Sequence, residues 1–264
     1  SADQDNLLGG ITANGVTALT VSSSGSATTN AAALTTGAIS ATGTNAITLT
    51  AGSFDDYDIA GNVTAAAAVE TVSVTVGTDA QMTLADIVMT GSALLSGSVT
   101  VNDGGFLSNS NANTSIAAAE SVDIVATSIA DFDVTLGAGS VAALDLQGIA
   151  LTDADMTVGA SGNLVLGTSL GVAGSASNIK VSGRGDLDDT DDTTIGNEFN
   201  ILGTTVTFDM SGLTTDSDNT TITTAATVKA TLKTGLGADT ITGSALGDVI
   251  SSGAGADTVT GGAG

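Results

Sequence analysis

The chain has no cysteine, no histidine, no proline and no tryptophan, and only four basic residues among 264. Without cysteine there is no disulfide framework and no thiolate chemistry. Without histidine there is no Ser-His-Asp triad, and the usual zinc ligands and the usual general base are gone. A chain of this length without proline is unusual in its own right. Aromatic residues make up 2%, with Tyr57 the only tyrosine. Carboxylate pairs suited to a glycosidase dyad occur throughout, but the aromatic platforms that hold sugars do not. Lys180, Arg184, Lys229 and Lys233 are the whole basic complement against 28 acidic residues, giving a formal net charge of -24. Nucleic acid needs Lys/Arg patches to neutralise phosphate, so it is excluded as a partner, and an anionic membrane surface is disfavoured. No apolar run approaches the roughly 18 residues of a spanning helix. The opening SADQDNLLGG has neither a basic n-region nor an apolar h-region. The chain is expected not to be an enzyme.

What remains is a chain able to fold. Such charge alone argues for disorder, but hydrophobic residues reach 42% and the mean hydropathy is positive. They are mostly Ala, Val, Leu and Ile, which predicts a thin core of small side chains. Short alternating runs lie between Gly/Ser/Thr/Asn/Asp turns. Examples are residues 46–50, 71–76, 98–101, 121–127, 132–136, 163–166, 178–181 and 204–210. In the second, Val72, Val74 and Val76 are expected on one side and Thr71, Ser73 and Thr75 on the other. The alanine-rich runs 65–70 and 115–120 are the best helix candidates. The segment 67–74 aligns with 117–124 at an offset of about 50 residues, a candidate internal repeat. The expected fold is all-β, a parallel β-helix or β-solenoid over residues 1–230 with a distinct repeat tract over 231–264.

That tract has a nine-residue beat. TGLGADTIT (234–242), GSALGDVIS (243–251) and SGAGADTVT (252–260) place Asp239, Asp248 and Asp257 at equal spacing. Each aspartate is followed two residues later by Ile241, Ile250 or Val259. Glycines permit tight turns that expose backbone carbonyls. Each aspartate adds a hard oxygen, and calcium takes about six to eight oxygens. Two repeats make one coil, so repeats two apart stack, with Asp239 and Asp257 on one edge and Asp248 on the other. Ser244 and Leu246 stand where the pattern expects glycines. The beat is interrupted at Gly264, so Asp248 is expected to find its partner further along the polypeptide.

The tract matches G-G-x-G-x-D-x-U-x and resembles the RTX (repeats-in-toxin) family of bacterial secreted proteins. The resemblance covers about residues 234–264. It implies a C-terminal calcium β-roll that folds after type I secretion into the extracellular space. It also implies calcium-binding roles for Gly235, Gly237, Asp239, Gly243, Gly247, Asp248, Gly253, Gly255 and Asp257. The VET segment at 69–71, leading into a Thr/Val strand, is similar to segments of bacterial S-layer proteins.

Two acidic clusters are further candidates. Asp186, Asp188, Asp189, Asp191 and Asp192 form the densest one, expected as a loop that a cation bridges. Asp55, Asp56 and Asp58 form the second. Extracellular-type sites have dissociation constants of about 10⁻⁴ to 10⁻³ M, so at millimolar calcium each stabilises the fold by about 0.4 to 1.4 kcal/mol. Multiple calcium ions are therefore expected. The expected function is structural: a segment of a calcium-dependent bacterial cell-surface layer that associates with itself and is anchored by lipopolysaccharide or another surface component. The alternatives are an RTX adhesin or biofilm-matrix fibre, and the non-catalytic tail of a secreted RTX enzyme.

Overall fold

The computed structural model describes residues 6–24, 34–43, 46–66, 70–90, 93–109, 121–146, 149–167, 169–170, 176–189, 197–214 and 219–264. Over these residues the chain is a β-solenoid of stacked, uniformly parallel strands in sheets of 13, 10 and five strands. Among the described residues there is no helix. Each of the first rungs contributes three strands. One example is Asp56–Ile59, Val63–Ala66 and Thr71–Val76, each pairing with its equivalents above and below. The first two ladders merge at Val141–Asp145, which pairs with both Phe106–Ser108 and Val122–Val125. Towards the C-terminus the cross-section narrows to two strands per coil, drawn from the ten- and five-stranded sheets.

The inward rows explain the stacking. Val72, Val74 and Val76 are buried while Thr71, Ser73 and Thr75 are only partly so, as the alternation predicts. Val74 lies in register with Leu49, Val99, Val134, Met156 and Val181 across successive rungs. A neighbouring row runs Ile47, Val72, Gly97, Phe132, Ala154, Ile179, Phe208, Leu232, Ile250. This row crosses residue 230 unbroken, because Lys229–Lys233 pairs both with Thr205–Leu213 and with Val249–Ser251. Phe208 packs edge-to-face on Phe199 of the opposite sheet, ring centroids 5.5 Å apart, and both are fully buried.

Equivalent four-residue turns leave the ten-stranded sheet and stack as a second ladder. Their third residues are left-handed: Phe54 (φ 59°), Asp79 (φ 51°), Gly104 (φ 69°), Gly139 (φ 65°) and Ser161 (φ 56°). Each such N–H from Phe54 to Gly139 donates to the second carbonyl of the next turn: Thr78, Asp103, Ala138 and Ala160. The turns thus lock neighbouring rungs in register through the backbone itself.

Three expectations need correction. Ala65 and Ala66 end a strand, Val63–Ala66, and do not start a helix; β pairing on both sides outweighs alanine's helical propensity. Residues 67–69 and 115–120 lie outside the described set. The 50-residue repeat is not structural: Thr71–Val76 belongs to the ten-stranded sheet and Val122–Val125 to the 13-stranded one. True neighbours are 25 residues apart at Ser73 and Ser98 and 18 at the C-terminus. Finally, Asp186–Asp189 is a strand rather than a loop, paired with Asn163–Leu166 around the buried Leu187.

The outward rows of the ten-stranded sheet are charged. Asp133, Asp155, Lys180, Asp209 and Lys233 lie in register on consecutive strands. Partial burial pushes the Asp133 carboxyl above the usual range, and Asp131, Asp155 and Asp153 push it further. Burial also pushes Asp209 up, but hydrogen bonds from Lys233 and Ser211, with the Lys233 charge, more than offset it and hold this carboxyl low. A raised carboxyl destabilises the fold once pH rises through its folded value, whereas a lowered one stabilises it until pH falls through its folded value.

Two outcomes are expected. Phe208→Ala lowers the unfolding free energy by about 3–5 kcal/mol, read by urea titration. Asp133→Asn raises the thermal midpoint at neutral pH, and this advantage shrinks as pH falls towards the ordinary carboxylate range; melting curves across pH 3 to 8 check it.

Candidate metal site

The nine-residue beat becomes a strict alternation between two sheets. Thr240–Thr242 and Thr258–Thr260 pair in the five-stranded sheet, aligning Ile241 with Val259. Val249–Ser251 pairs with Lys229–Lys233 in the ten-stranded sheet, aligning Ile250 with Leu232. Asp239 and Asp257 therefore fall on one edge, in turns joined by a bridge between Leu236 and Ala254, and Asp248 falls on the other.

All three aspartates share one role that needs no ion. Oδ1 of each accepts a backbone N–H one coil earlier, at the first residue of a strand or within one residue of it. Asp257 takes Asp239 at 3.1 Å, Asp248 takes Ala230 at 2.8 Å and Asp239 takes Thr220 at 2.9 Å. A turn leaves that N–H outside the strand ladder, and a carboxylate satisfies it better than a neutral acceptor does. On the same edge Asn219 makes the reverse link, its Oδ1 accepting the Ala238 N–H of the following coil at 2.9 Å.

The two edges differ in what is left over. Asp239 is 1% exposed, and its Oδ2 is buried with no hydrogen-bond partner. Asp248 is only partly buried, and its Oδ2 takes the Ser244 N–H at 2.6 Å. Ser244, placed where the repeat expects glycine, also donates its hydroxyl to Asp248 Oδ1 at 3.3 Å and accepts the Leu246 N–H at 2.9 Å. The irregular copy thus closes its turn with side-chain bonds. The partner expected for Asp248 further along the chain is not required for stacking. Its turn is bonded to Ala226 on one side and to Thr260 and Ala263 on the other.

Glycine is required where backbone approaches backbone. Gly255 sits at φ 154°, and a Cβ there would overlap the carbonyl oxygen of Gly237; one at Gly253 would overlap that of Gly235. Gly235, Gly237, Gly253 and Gly255 therefore bring their turns together carbonyl to backbone. On the second edge, Gly243 donates to the Thr260 carbonyl at 2.7 Å, and Gly247 has open space beside it. Among the described residues no three acidic side chains converge on a point, so a hard cation here has to draw on backbone carbonyls beside one or two carboxylates. The Asp239 edge fits that demand: an orphaned buried carboxylate oxygen, a second aspartate stacked upon it and a carbonyl-rich cradle.

The acidic run fares differently. Asp186, Asp188 and Asp189 lie on one strand, not in a loop, with Leu187 between them buried. Asp191 and Asp192 lie outside the described residues. In the other cluster, Asp55 is 5% exposed and its Oδ1 accepts the Asp56 N–H at 3.1 Å. Asp56 and Asp58 belong to the following strand.

Asp239→Ala in calcium-free buffer leaves the Thr220 N–H, which begins a strand at a buried residue, without its acceptor. The expected loss is about 1–3 kcal/mol by urea titration in EGTA. Asp239→Asn keeps a carbonyl acceptor and loses less. An alanine variant as stable as the parent refutes the capping role.

The chain matches no protein-family model, no curated protein and no solved structure.

Proposed function

We propose that the chain is a structural β-solenoid of a bacterial extracellular surface layer, stabilised by calcium at its C-terminal turns. The observation that carries this reading is the Asp239 carboxylate, buried in a pair of stacked glycine turns with one oxygen lacking a hydrogen-bond partner. Leaving such an oxygen bare costs several kcal/mol in a dry environment, and a divalent cation removes that cost. Asp239 and Asp257, with carbonyls of Gly235, Gly237, Gly253 and Gly255, would hold the ion. Asp248 with Gly243 and Gly247 would form the second, weaker site, since both its oxygens already accept hydrogen bonds. Calcium there supplies charge neutralisation and a tie between successive coils. The similarity of the repeat to RTX tracts supports an extracellular destination, where calcium is abundant.

The rest of the chain supports a structural role over a catalytic one. It has no histidine or cysteine, and its long parallel faces are covered with Thr, Ser and Asp. Self-association into sheets is the use such faces serve in a surface layer, because an open heterologous contact between identical units propagates.

Calcium is expected to raise the thermal midpoint of the full chain, and EGTA to lower it. Asp239→Asn abolishes most of that gain, whereas Asp248→Asn keeps most of it. Melting curves that are the same in calcium and EGTA overturn the calcium reading. Electron microscopy tests the array: ordered two-dimensional sheets with calcium support it, and dispersed particles under every condition refute it.

A further inference from the structure

All four basic residues of the chain lie on the ten-stranded sheet or in the turn that leaves it. Lys180, Lys229 and Lys233 are on its strands, and Arg184 follows the strand Ala176–Gly183 directly. The two strands before them, Ser128–Leu136 and Ala150–Val158, carry Asp131, Asp133, Asp153 and Asp155. Asp131 is in register with Asp153, and Asp133 with Asp155. One sheet face is thus split across its strand order into an acidic half and a basic half. Asp209 is the only acid on the strands of the basic half, where Lys233 pairs with it at 2.7 Å, and Lys180 makes a longer, exposed pair at 3.4 Å with Asp155 across the border between the halves.

We propose that this face binds a second copy of the same chain, the acidic half of each copy lying over the basic half of the other. The inference rests on the self-assembly reading above and adds a closed contact between two copies, beside the open contact that propagates a sheet. Its warrant is elimination by charge. Two copies of net charge -24 repel, and no other face of the solenoid carries a cation for a direct ion pair. At physiological salt the Debye length is about 8 Å, so the charges in contact decide the outcome, not the distant remainder. A two-fold axis parallel to the strands and midway between the two faces generates the exchange of halves, and such an isologous contact closes as a dimer.

The dimensions suffice. Five strands about 4.8 Å apart, each up to nine residues at about 3.3 Å, give a face of roughly 700 Å², close to the roughly 800 Å² that each partner contributes to a standard interface. The register shift between Lys180 and Ser182 lies at a surface groove of about 430 Å³ lined by Asp155, Lys180, Asp209 and Ser211. This groove sits at the border between the halves. It offers room for a partner side chain, as bulges commonly do where a sheet meets a ligand.

A charge swap tests the proposal on the full chain by sedimentation velocity, with circular dichroism confirming that each variant is folded. The basic-half variant is Lys180→Glu with Lys229→Glu; the acidic-half variant is Asp131→Lys with Asp133→Lys. The parent chain is expected to dimerise near physiological salt, where the distant charge is screened, and to dissociate as salt rises further and weakens the ion pairs in contact. Each variant alone is expected to bind itself at least tenfold more weakly, and an equimolar mixture of the two to recover association. A parent that stays monomeric, or variants that associate like the parent, overturn the inference. Calcium-dependent melting is read separately, so loss of the dimer leaves the calcium reading standing, and loss of the calcium effect leaves the dimer standing.

Discussion

A rung of this solenoid cannot bury its aliphatic row alone, so everything rests on the parallel pairing that places each row upon the next. The side chains are small. Val, Ala, Ile and Leu fill the interior, and an isolated coil of them would leave half its apolar surface in water. Stacking in register removes that surface on both sides, and the same hydrogen bonds that fix the register satisfy the backbone. The row from Ile47 to Ile250 shows how far one column is carried. Where Phe132 enters it, the residue beneath is Gly97; the missing side chain makes room for the ring, so volume is conserved down the column and not within each rung.

Parallel stacking also forces like residues on top of like, which is harmless for valine and costly for aspartate. The chain meets this cost in three ways. At Asp155–Lys180 and Asp209–Lys233 it alternates sign along a column. At Asp239, Asp248 and Asp257 it turns each carboxylate onto a backbone N–H of the preceding coil. Around Asp133, whose neighbours in register are Ser98 and Asp155, it leaves the repulsion standing, which the elevated Asp133 carboxyl records. The uncompensated places are where a cation or a partner has most to contribute.

Much of this architecture is legible in the sequence, and the parts that are not have separate physical causes. Residues 71–76 read as a strand from alternation of β-branched residues, and 163–166 as a short aliphatic run between turn residues; both bounds match the strands formed. The beat at 234–260 yielded the two-edge arrangement of its aspartates because its period is constant. The body of the chain has no constant period because its coils differ in length, so that similar segments such as 71–74 and 121–124 fall on different sheets. Composition misled at Asp186–Asp189, where density of charge suggested a loop. One buried leucine, Leu187, and pairing to the strand Asn163–Leu166 decide the matter. Hydrogen-bond capping by the aspartates was invisible for a different reason: it is a relation between coils, and no local pattern encodes it.

Capping and ion binding are not rival explanations of the aspartates, because they use different oxygens. With Oδ1 committed to a backbone N–H, the Asp239 carboxylate is held in one orientation before any ion arrives, so calcium would meet a group whose conformational entropy has already been lost in folding. The same commitment limits how far the turns can loosen when the ion leaves, since the backbone bonds between Ala254 and Gly235 and between Thr258 and Asp239 remain. A tract built this way would tighten on calcium rather than fold from nothing. Asp248 marks the limit of the arrangement. Once Ser244 takes the second oxygen, the turn is closed by the protein itself and has less to gain from a cation.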